Sequence, residues 1–366
     1  MKFSTSRESL FKPLQAVIGV VERRQTMPVL ANVLIVANGN ELAFTATDLE
    51  VELSARCDIE AIKVPGEITV PGRKLLDICK ALPDKAKVSL SLKGDRLSVQ
   101  SGRSKFVLST LPAAEFPLIE DPAMDREFII KQSVLGRLLD KTHFSMAQQD
   151  VRYYLNGLLL ESGDGVLRAV ATDGHRLALC KTLLDTGEGG KSQVIVPRKG
   201  VLELQRLLDG EGDVSVSISS NHIRAVVGSI RFTSKLIDGR FPDYDRVIPE
   251  VKSNVVIADR DLLRQALQRA AILSNEKYRG VRLEFAPGKI RIQANNPDQE
   301  EAEEEVEVDY TGDTMEIGFN VNYLLDALSA VDDAQVEFGL VDAEKSCVVR
   351  TPSDEHSLYV VMPMRL

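Results

Sequence analysis

Apolar and polar residues follow two periods along this chain, one typical of helices and one typical of strands. Apolar pairs recur at helical spacing over residues 9–21, 133–145 and 261–273, and each segment opens with a residue type that caps helices. This spacing predicts three amphipathic helices. Pro13 lies in the first of them, where it predicts either a kink or a first turn, because proline lacks the amide hydrogen of a helix interior.

Strand-like segments follow each predicted helix. Short alternating runs at 32–37, 155–161 and 281–285 predict strands separated by Gly, Asp and Asn turns. A second helix is expected after Pro71 and after Pro197, because proline ends a strand and is tolerated at the start of a helix. The pattern therefore predicts α+β modules, each with two helices packed on an antiparallel sheet.

The same order of segments occurs three times. Matching segments are 68–82, 194–208 and, more weakly, 317–331; then 46–48, 171–173 and weakly 294–296; then 116–117, 241–242 and 362–363. Their offsets lie between 121 and 126 residues, a regularity that indicates an internal repeat. With boundaries near Asp125 and Pro249, the chain is predicted to form three domains, 1–125, 126–249 and 250–366.

Composition agrees with several ordinary globular domains. The chain has 366 residues, of which 44% are hydrophobic and 27% charged. The first residues lack the apolar core of a secretory signal, and no apolar stretch is long enough to span a bilayer, so we expect a cytoplasmic protein without a membrane partner. The widely separated Cys57, Cys79, Cys180 and Cys347 are expected to be buried small hydrophobic residues.

The net charge of −9 argues at first against a nucleic-acid partner. The six predicted helices (6–24, 72–82, 131–149, 198–209, 259–277 and 320–331) nevertheless contain 17 basic and 10 acidic residues, a net +7, which leaves −16 on the remainder. If these helices share one face, that face attracts a polyanion. Without a base-reading motif, we expect contacts to phosphates that are independent of sequence.

Motifs of catalysis are lacking. The sequence has no GxSxG elbow, no HExxH pair and no GxGxxG turn, and Gly190-Lys191-Ser192 lacks the earlier glycine of a P-loop because Asp185 stands there. His175 follows the hairpin signal Asp173-Gly174, which favours a turn or a binding surface over acid-base chemistry. We therefore expect no catalytic residue, no metal and no cofactor.

An acidic run and a basic run form a complementary pair. Residues 300–307 contain six glutamates in a strand-like pattern, whose side chains alternate between two faces and do not converge on one cation. Residues 101–108 place Arg103 and Lys105 beside the alternating Phe106 and Leu108, a pattern typical of an edge strand that pairs. We expect the acidic run to be a solvated strand or to face a basic surface.

Several long motifs resemble one family. Segments 149–157, 171–177, 196–200, 238–244 and 359–366, in this order, closely resemble the bacterial sliding clamps, the beta subunits of DNA polymerase III. The resemblance covers the whole chain. It implies a processivity factor without catalysis, in which two chains join head to tail into a homodimeric ring around duplex DNA, with helices lining the hole and sheets outside.

The resemblance also implies three sets of site residues. A pocket for short peptide motifs of the replicative polymerase, the clamp loader and repair polymerases would be formed by Leu155, Thr172, Gly174, His175, Arg176, Leu177, Pro242, Arg246, Val247, Ser346, Val360, Val361, Met362, Pro363, Met364 and Arg365. DNA contacts would come from Arg24, Arg73, Gln149, Tyr153 and Tyr154. The dimer interface would join Lys74, Ile78, Leu82, Arg103, Lys105, Phe106 and Leu108 to Ile272, Leu273, Glu300 and Glu304 of the partner.

Two other classes of function stay open from the residues alone. One is a three-domain enzyme whose site carries no recognisable motif, and the other is a scaffold that binds peptides without DNA. Retention on circular but not on linear DNA distinguishes a ring from both alternatives, because only a closed ring is held topologically.

Overall fold

The protein is described by a computed structural model over residues 1–21, 27–119, 123–184, 191–208, 210–251 and 254–365. Its first third contains β1 (Lys2–Ser6), α1 (Arg7–Val17), β2 (Asn32–Asn38), β3 (Glu41–Thr47), β4 (Val51–Asp58), β5 (Ile62–Val64), β6 (Gly66–Pro71), α2 (Gly72–Ala81), β7 (Lys87–Lys93), β8 (Arg96–Ser101) and β9 (Ser104–Ser109).

The other two thirds repeat this order of a strand, a helix, several strands, a second helix and more strands. The middle third contains β10 (Arg126–Lys131), α3 (Gln132–Asp140), β11 (Gly157–Gly163), β12 (Val166–Thr172), β13 (Arg176–Leu183), β14 (Ser192–Pro197), α4 (Arg198–Leu207), β15 (Asp213–Ile218), β16 (His222–Val227) and β17 (Ile230–Lys235). The last third contains β18 (Asn254–Asp259), α5 (Arg260–Ala271), β19 (Gly280–Ala286), β20 (Lys289–Asn295), β21 (Glu301–Asp309), β22 (Met315–Asn320), α6 (Val321–Ala330), β23 (Gln335–Leu340), β24 (Cys347–Arg350) and β25 (Ser357–Val361).

Two compact units form, and they cut across the middle third of the chain. One consists of Met1–Leu135 with Lys199–Leu236, the other of Gly136–Arg198 with Ile237–Leu366. The first unit has a sheet of order β5-β1-β7-β8-β9 and a second of order β10-β15-β16-β17-β4-β3-β2-β6, and the other unit has one sheet of order β14-β11-β12-β13-β25-β24-β23-β18-β21-β20-β19-β22. The middle third contributes to both units because β17 pairs with β4 and β13 pairs with β25.

A repeated backbone contact supports the threefold repeat. After the last strand of each third, one backbone N–H donates to a carbonyl on the strand that precedes the second helix: Leu111 to Thr69, Ile237 to Ile195 and Met364 to Gly318, at 3.2, 2.9 and 2.9 Å. Each contact covers part of an edge strand, whose carbonyls would otherwise lack partners in the sheet. The last of these contacts holds the C-terminal segment in place.

Helix α1 shows how the chain accommodates Pro13. The helix begins at Arg7, because Ser6 is the true N-cap and its Oγ accepts the Ser9 N–H at 3.2 Å, and it ends at Val17 instead of Val21. Pro13 lies in the helix interior and cannot donate to the Ser9 carbonyl, which instead accepts a hydrogen bond from the Cys57 thiol at 3.1 Å. Cys57 is therefore half-buried and hydrogen-bonded, so the prediction of four buried cysteines holds for the other three only.

Other element boundaries differ from the predicted ones for local reasons. Helix α3 ends at Asp140 rather than at 145. Just after its end, the Thr142 Oγ1 donates to the Leu138 carbonyl at 2.6 Å, and this side-chain hydrogen bond competes with the backbone hydrogen bonds of the helix. Helix α5 starts after Asp259, whose Oδ1 accepts the Leu262 N–H at 2.8 Å, and its last residue is Ala271. Strand β11 starts at Gly157, because Tyr153–Asn156 form a 3₁₀ turn.

Amphipathic helices supply the core, as the pattern predicted. In the second unit, Leu263 and Leu267 of α5 and Leu324 and Leu328 of α6 are fully buried, together with apolar residues of the sheet that include Phe285, Phe319 and Phe338. The six helices of the described residues carry 12 basic and six acidic side chains, a net +6. The excess of positive charge on helices is thus retained with the observed boundaries.

Candidate binding pocket

A cavity of about 200 Å³ lies in the second unit, where β13 begins beside β25. Its lining residues come from the 3₁₀ turn before β11, the turn between β12 and β13, the loop after Phe241 and the end of β25. They are Arg152, Tyr154, Leu155, Thr172, Gly174, Arg176, Leu177, Pro242, Asp243, Tyr244, Val247, Ser346, Val360 and Met362.

The turn between β12 and β13 is built by short polar side chains. The Asp173 Oδ1 accepts the N–H groups of His175 and Arg176 at 2.9 and 3.0 Å, and the Thr172 Oγ1 accepts the Gly174 N–H at 3.1 Å. Gly174 has φ +89°, a region in which glycine pays no steric cost. A Cβ atom at this position would lie 3.0 Å from the Arg152 guanidinium. The predicted hairpin is confirmed.

Apolar residues form the floor of the cavity. Leu177 and Val360 are directly paired across β13 and β25, and both belong to a buried cluster with Phe241 and Tyr244. Val247 and Met362 line the cavity yet keep 53% and 46% of their surface exposed. Exposed apolar side chains above a buried apolar floor are typical of a site that receives an apolar group.

Two arginines line the cavity with different freedom. The Arg176 side chain is only 13% exposed and its Nε donates to the Asp173 Oδ2 at 3.1 Å. Arg152 is 46% exposed and makes a two-point contact with Asp150, at 3.0 and 2.9 Å. The hydrogen bonds from the Arg152 side chain and backbone lower the pKa of Asp150 to about 2. Both guanidinium groups are therefore held by carboxylates.

A buried carboxylate supports the cavity wall from behind. Glu161 is 5% exposed and accepts hydrogen bonds from Gln193 at 2.6 Å, Arg168 at 2.7 Å and the Tyr244 hydroxyl at 3.2 Å. Burial by itself raises the pKa of Glu161, but these hydrogen bonds outweigh it and bring the pKa below its ordinary value. Burial also raises the pKa of Tyr244. The ionised glutamate thus fixes Tyr244.

This arrangement predicts a pH-dependent contribution to stability. Because the pKa of Glu161 is lower in the folded chain than its ordinary 4.5, its contribution is fully present above pH 4.5 and is lost as the pH falls through the folded value. We expect Glu161→Gln to cost roughly 1–3 kcal/mol at pH 7. Thermal unfolding of both proteins between pH 7 and pH 3 should show the difference shrinking with acidity. The exposed Glu316→Gln serves as the control, and a difference that is constant with pH would contradict the assignment.

Ten of the 16 predicted pocket residues line the cavity, and six do not. Val361 is 1% exposed and packs into the cluster of α5 and α6, on the face of the sheet opposite the cavity, because successive strand residues point to opposite faces. His175 lies exposed in the turn and its carbonyl accepts the Met362 N–H at 2.9 Å. Arg246 lines a neighbouring cleft of about 730 Å³, which shares Val247, Ser346 and Met362 with the cavity. The remaining three are Pro363, Met364 and Arg365.

Four lining residues were missed as pocket residues: Arg152, Tyr154, Asp243 and Tyr244. The resemblance assigns Tyr154 to DNA contacts, and the other three lie in the segments 149–157 and 238–244 that carry the resemblance. Their nearness in sequence to Leu155 and Pro242 was the available signal, since neighbours of a pocket residue in a tight turn also reach the pocket. The predicted Ser346 does line the cavity.

The residues predicted to contact DNA occupy different places. Arg24 lies outside the described residues. Arg73 is exposed on α2 of the first unit, and its guanidinium also donates to the Val21 carbonyl. Gln149 and Tyr153 are exposed in the second unit, with Tyr153 58% exposed and in edge-to-face contact with Tyr154. Tyr154 is half-buried and lines the cavity.

In the first unit, the residues predicted for the dimer interface are partly covered by their own chain. Leu82 and Leu108 are each 8% exposed, Phe106 and Ile78 are half-buried, and Lys74, Arg103 and Lys105 are exposed. Strand β9 is the last strand of its sheet and pairs only with β8 among the named strands. Its outer edge therefore carries backbone groups outside the sheet ladder.

In the second unit, Ile272 is 75% exposed and Leu273 half-buried just after α5. Strand β21 contains residues 301–307 of the acidic run, with Glu300 just before it. It pairs with β20 over 301–307 and meets β18 only at Val308 and Asp309. Glu304 makes a two-point contact with Arg269 of the same chain, at 2.8 and 2.7 Å, which lowers the pKa of Glu304. Glu304 is thus already paired, whereas Glu300 accepts from the neutral Asn296 side chain at 2.6 Å.

No cluster of three or more His, Cys, Asp or Glu side chains in the described parts of the chain could hold a metal ion. In the same described parts of the chain, no helix is both long enough and apolar enough to cross a membrane.

Comparison with known proteins places these features in a family. The N-terminal, central and C-terminal domains of the DNA polymerase III beta subunit match residues 1–120, 129–243 and 245–365. The chain is 56% identical to the beta sliding clamp of Pseudomonas aeruginosa, over 100% of both chains. A crystal structure of the sliding clamp from that organism, with ligand, superposes with a TM-score of 0.98 at 55% identity over all of both chains. For the Caulobacter crescentus beta sliding clamp, with PEG bound to a putative beta-motif tethering region, the TM-score is 0.95 at 44% identity, covering 100% of this chain and 99% of that one.

The fold is therefore that of a clamp protein, with three α+β domains that each pack two helices on antiparallel sheet. Proteins of this class are non-catalytic processivity factors of DNA polymerases. Within the class, the chain belongs to the family of bacterial beta sliding clamps, the beta subunits of DNA polymerase III. The expectations of an α+β repeat fold and of a replication function without catalysis are confirmed.

Proposed function

We propose that two copies of this chain close head to tail into a ring around duplex DNA, and that the cavity beside β13 and β25 holds a short peptide motif of each partner. The partners are the replicative polymerase, the clamp loader and repair polymerases. The three clamp domains are 1–125, 126–249 and 250–366, so the ring has six. Because a bacterial chromosome lies in the cytoplasm, a clamp that works on it acts there.

The apolar floor of the cavity carries the peptide proposal. Leu155, Leu177 and Val360 are each at most 3% exposed, and Met362 closes one side with a flexible, polarisable side chain. A cavity of about 200 Å³ accommodates one or two apolar side chains of a peptide anchor. The tethering region named for the Caulobacter crescentus clamp supports such a site.

Two free strand edges support closure of the ring. The outer edge of β9 and the edge of β21 over 301–307 each present unpaired ladder positions, so an antiparallel pair between two chains would satisfy both. The basic Lys74, Arg103 and Lys105 would then face the acidic β21 of the partner. Each chain offers the basic edge of β9 and the acidic edge of β21, so the contact joins two different surfaces and is heterologous. Heterologous contacts form a closed ring when the rotation that relates successive chains brings the last chain back to the first.

Weak contacts to phosphate would let such a ring slide. The helices carry only a small positive excess, and exposed Arg73, Gln149 and Tyr153 are residue types that contact phosphates and stacked bases. Such contacts are independent of sequence and weaken steeply with salt. Retention on DNA is then a property of the closed ring rather than of affinity.

The experiment loads the protein with clamp loader and ATP onto nicked circular DNA and then linearises half of the sample. We expect protein to stay on the circles through a high-salt wash and to leave the linear molecules, because a ring slides off free ends. Equal retention on both would contradict the topological proposal. A protein that binds the polymerase but neither DNA form would be a peptide-binding scaffold.

A further inference from the structure

We propose that Asp326 on α6 is a positioning residue for the pocket: it acts through Arg176 and sets the affinity for the partner's peptide motif without touching that peptide. The inference rests on the proposed peptide function of the cavity. It adds a residue outside the cavity lining to the determinants of binding.

Arg176 is a fixed part of the cavity wall rather than a free cation. Its Nε donates to the Asp173 Oδ2 at 3.1 Å, its Nη1 to the Asp326 Oδ2 at 2.5 Å and its Nη2 to the Phe144 carbonyl at 2.6 Å. Charge-assisted hydrogen bonds of this kind are the stronger ones in proteins. Three acceptors from three different segments thus determine where the guanidinium lies.

Aromatic rings complete the enclosure of this guanidinium. The Arg176 Cζ lies 4.6 Å from the centroid of the Tyr323 ring and 5.6 Å from that of Phe144, distances at which a cation is attracted to a ring face. Tyr323 and Asp326 are three residues apart on α6 and so share one face of the helix. Helix α6 therefore holds Arg176 by one charge and one ring.

The helix itself cannot readily adjust. Leu324 and Leu328 are fully buried in the cluster that includes Phe285, Phe319 and Phe338. Their burial fixes the rotation of α6 about its axis and the direction of the Asp326 side chain. The Asp326 side chain is 45% exposed and does not line the cavity, whereas Arg176 does. Within the cavity, Asp326 can therefore act on the bound peptide only through the position of Arg176.

Removing the Asp326 carboxylate leaves Arg176 with Asp173 as its remaining carboxylate partner. One guanidinium N–H group then lacks its acceptor, and the side chain gains freedom to turn toward the cavity or the solvent. A binding site loses affinity when the residues that support its wall no longer hold it in position. We expect Asp326→Ala to weaken polymerase binding roughly three- to tenfold.

The test measures binding of the cognate replicative polymerase to immobilised full-length protein by surface plasmon resonance. Asp326→Glu keeps a carboxylate and should restore most of the affinity. Asp261→Ala is the matched control, because Asp261 is a helical carboxylate 49% exposed that pairs with Arg260 away from the cavity, and it should leave binding unchanged. Melting temperatures of all variants report folding.

A double-mutant cycle separates positioning from a general structural role. If Asp326 acts through Arg176, Asp326→Ala should change affinity less than about twofold in an Arg176→Ala background. Wild-type affinity in Asp326→Ala, or equal losses in both backgrounds, would overturn the inference. The proposed pocket function fails separately, if truncation before Met362 leaves polymerase binding intact.

Discussion

Deleting residues 362–366 should weaken binding of the replicative polymerase roughly 30-fold or more and leave the rest of the fold in place. Met362 lines the cavity and its backbone N–H donates to the His175 carbonyl at 2.9 Å, so the deletion opens one wall and frees the turn before β13. Strand β25 ends at Val361 and keeps its pairing with β13. Loss of a central apolar anchor costs about 2 kcal/mol or more, or roughly 30-fold in affinity.

Surface plasmon resonance with the polymerase checks this result, and light scattering shows whether the oligomeric state is unchanged. Met362→Ala should reproduce most of the loss. Met315→Ala is the control, because this methionine is half-buried on β22 outside the cavity lining. Unaltered polymerase affinity in the deletion would exclude the cavity as the partner site.

Substituting both Ile272 and Leu273 by Asp should convert the proposed dimer into monomers. Ile272 is 75% exposed in the single chain, more than any other apolar residue predicted for the interface, so a partner that covers this position would bury the largest new apolar surface there. Two buried carboxylates at an interface would raise the dissociation constant of the dimer about 100-fold or more. Sedimentation equilibrium at micromolar concentration measures the change.

The choice of residues follows from burial within one chain. Leu108 was also predicted at the interface, but it is only 8% exposed in its own chain, so its substitution would weaken the fold together with the association. Leu262→Asp is the matched control, since Leu262 is 58% exposed at the other end of α5. An unaltered dimer in the Ile272 and Leu273 variant would place the interface elsewhere.

Local features were within reach of the sequence because they depend on few neighbouring residues. The Asp173-Gly174 turn follows from the conformational freedom of glycine and the short reach of the aspartate side chain. The threefold repeat follows from recurring segments, and the strand nature of 301–309 from its alternation. The starts of α1 and α5 were predicted too late, at residues 9 and 261. In the structure, the Ser6 and Asp259 side chains cap these helices by accepting backbone N–H groups of the first turn.

Partners that are distant in sequence were decided by the tertiary structure alone. Alternation along β25 places Val360 on the pocket floor and Val361 in the opposite cluster, a choice that depends on which face of the sheet each core covers. Glu304 is paired with Arg269, 35 residues away, which a run of glutamates does not reveal.

By itself the sequence determined the α+β class, the three repeats, the turn beside the pocket and the membership of a replication family. The tertiary structure decided which side chains meet. It brought Arg152 and Tyr244 into the pocket, made Arg176 a fixed wall through Asp326, and left Ile272 exposed. The physical reason is that periodicity and turn chemistry act over a few residues, whereas a pocket is assembled by strand pairing between segments up to about 200 residues apart, such as β13 and β25.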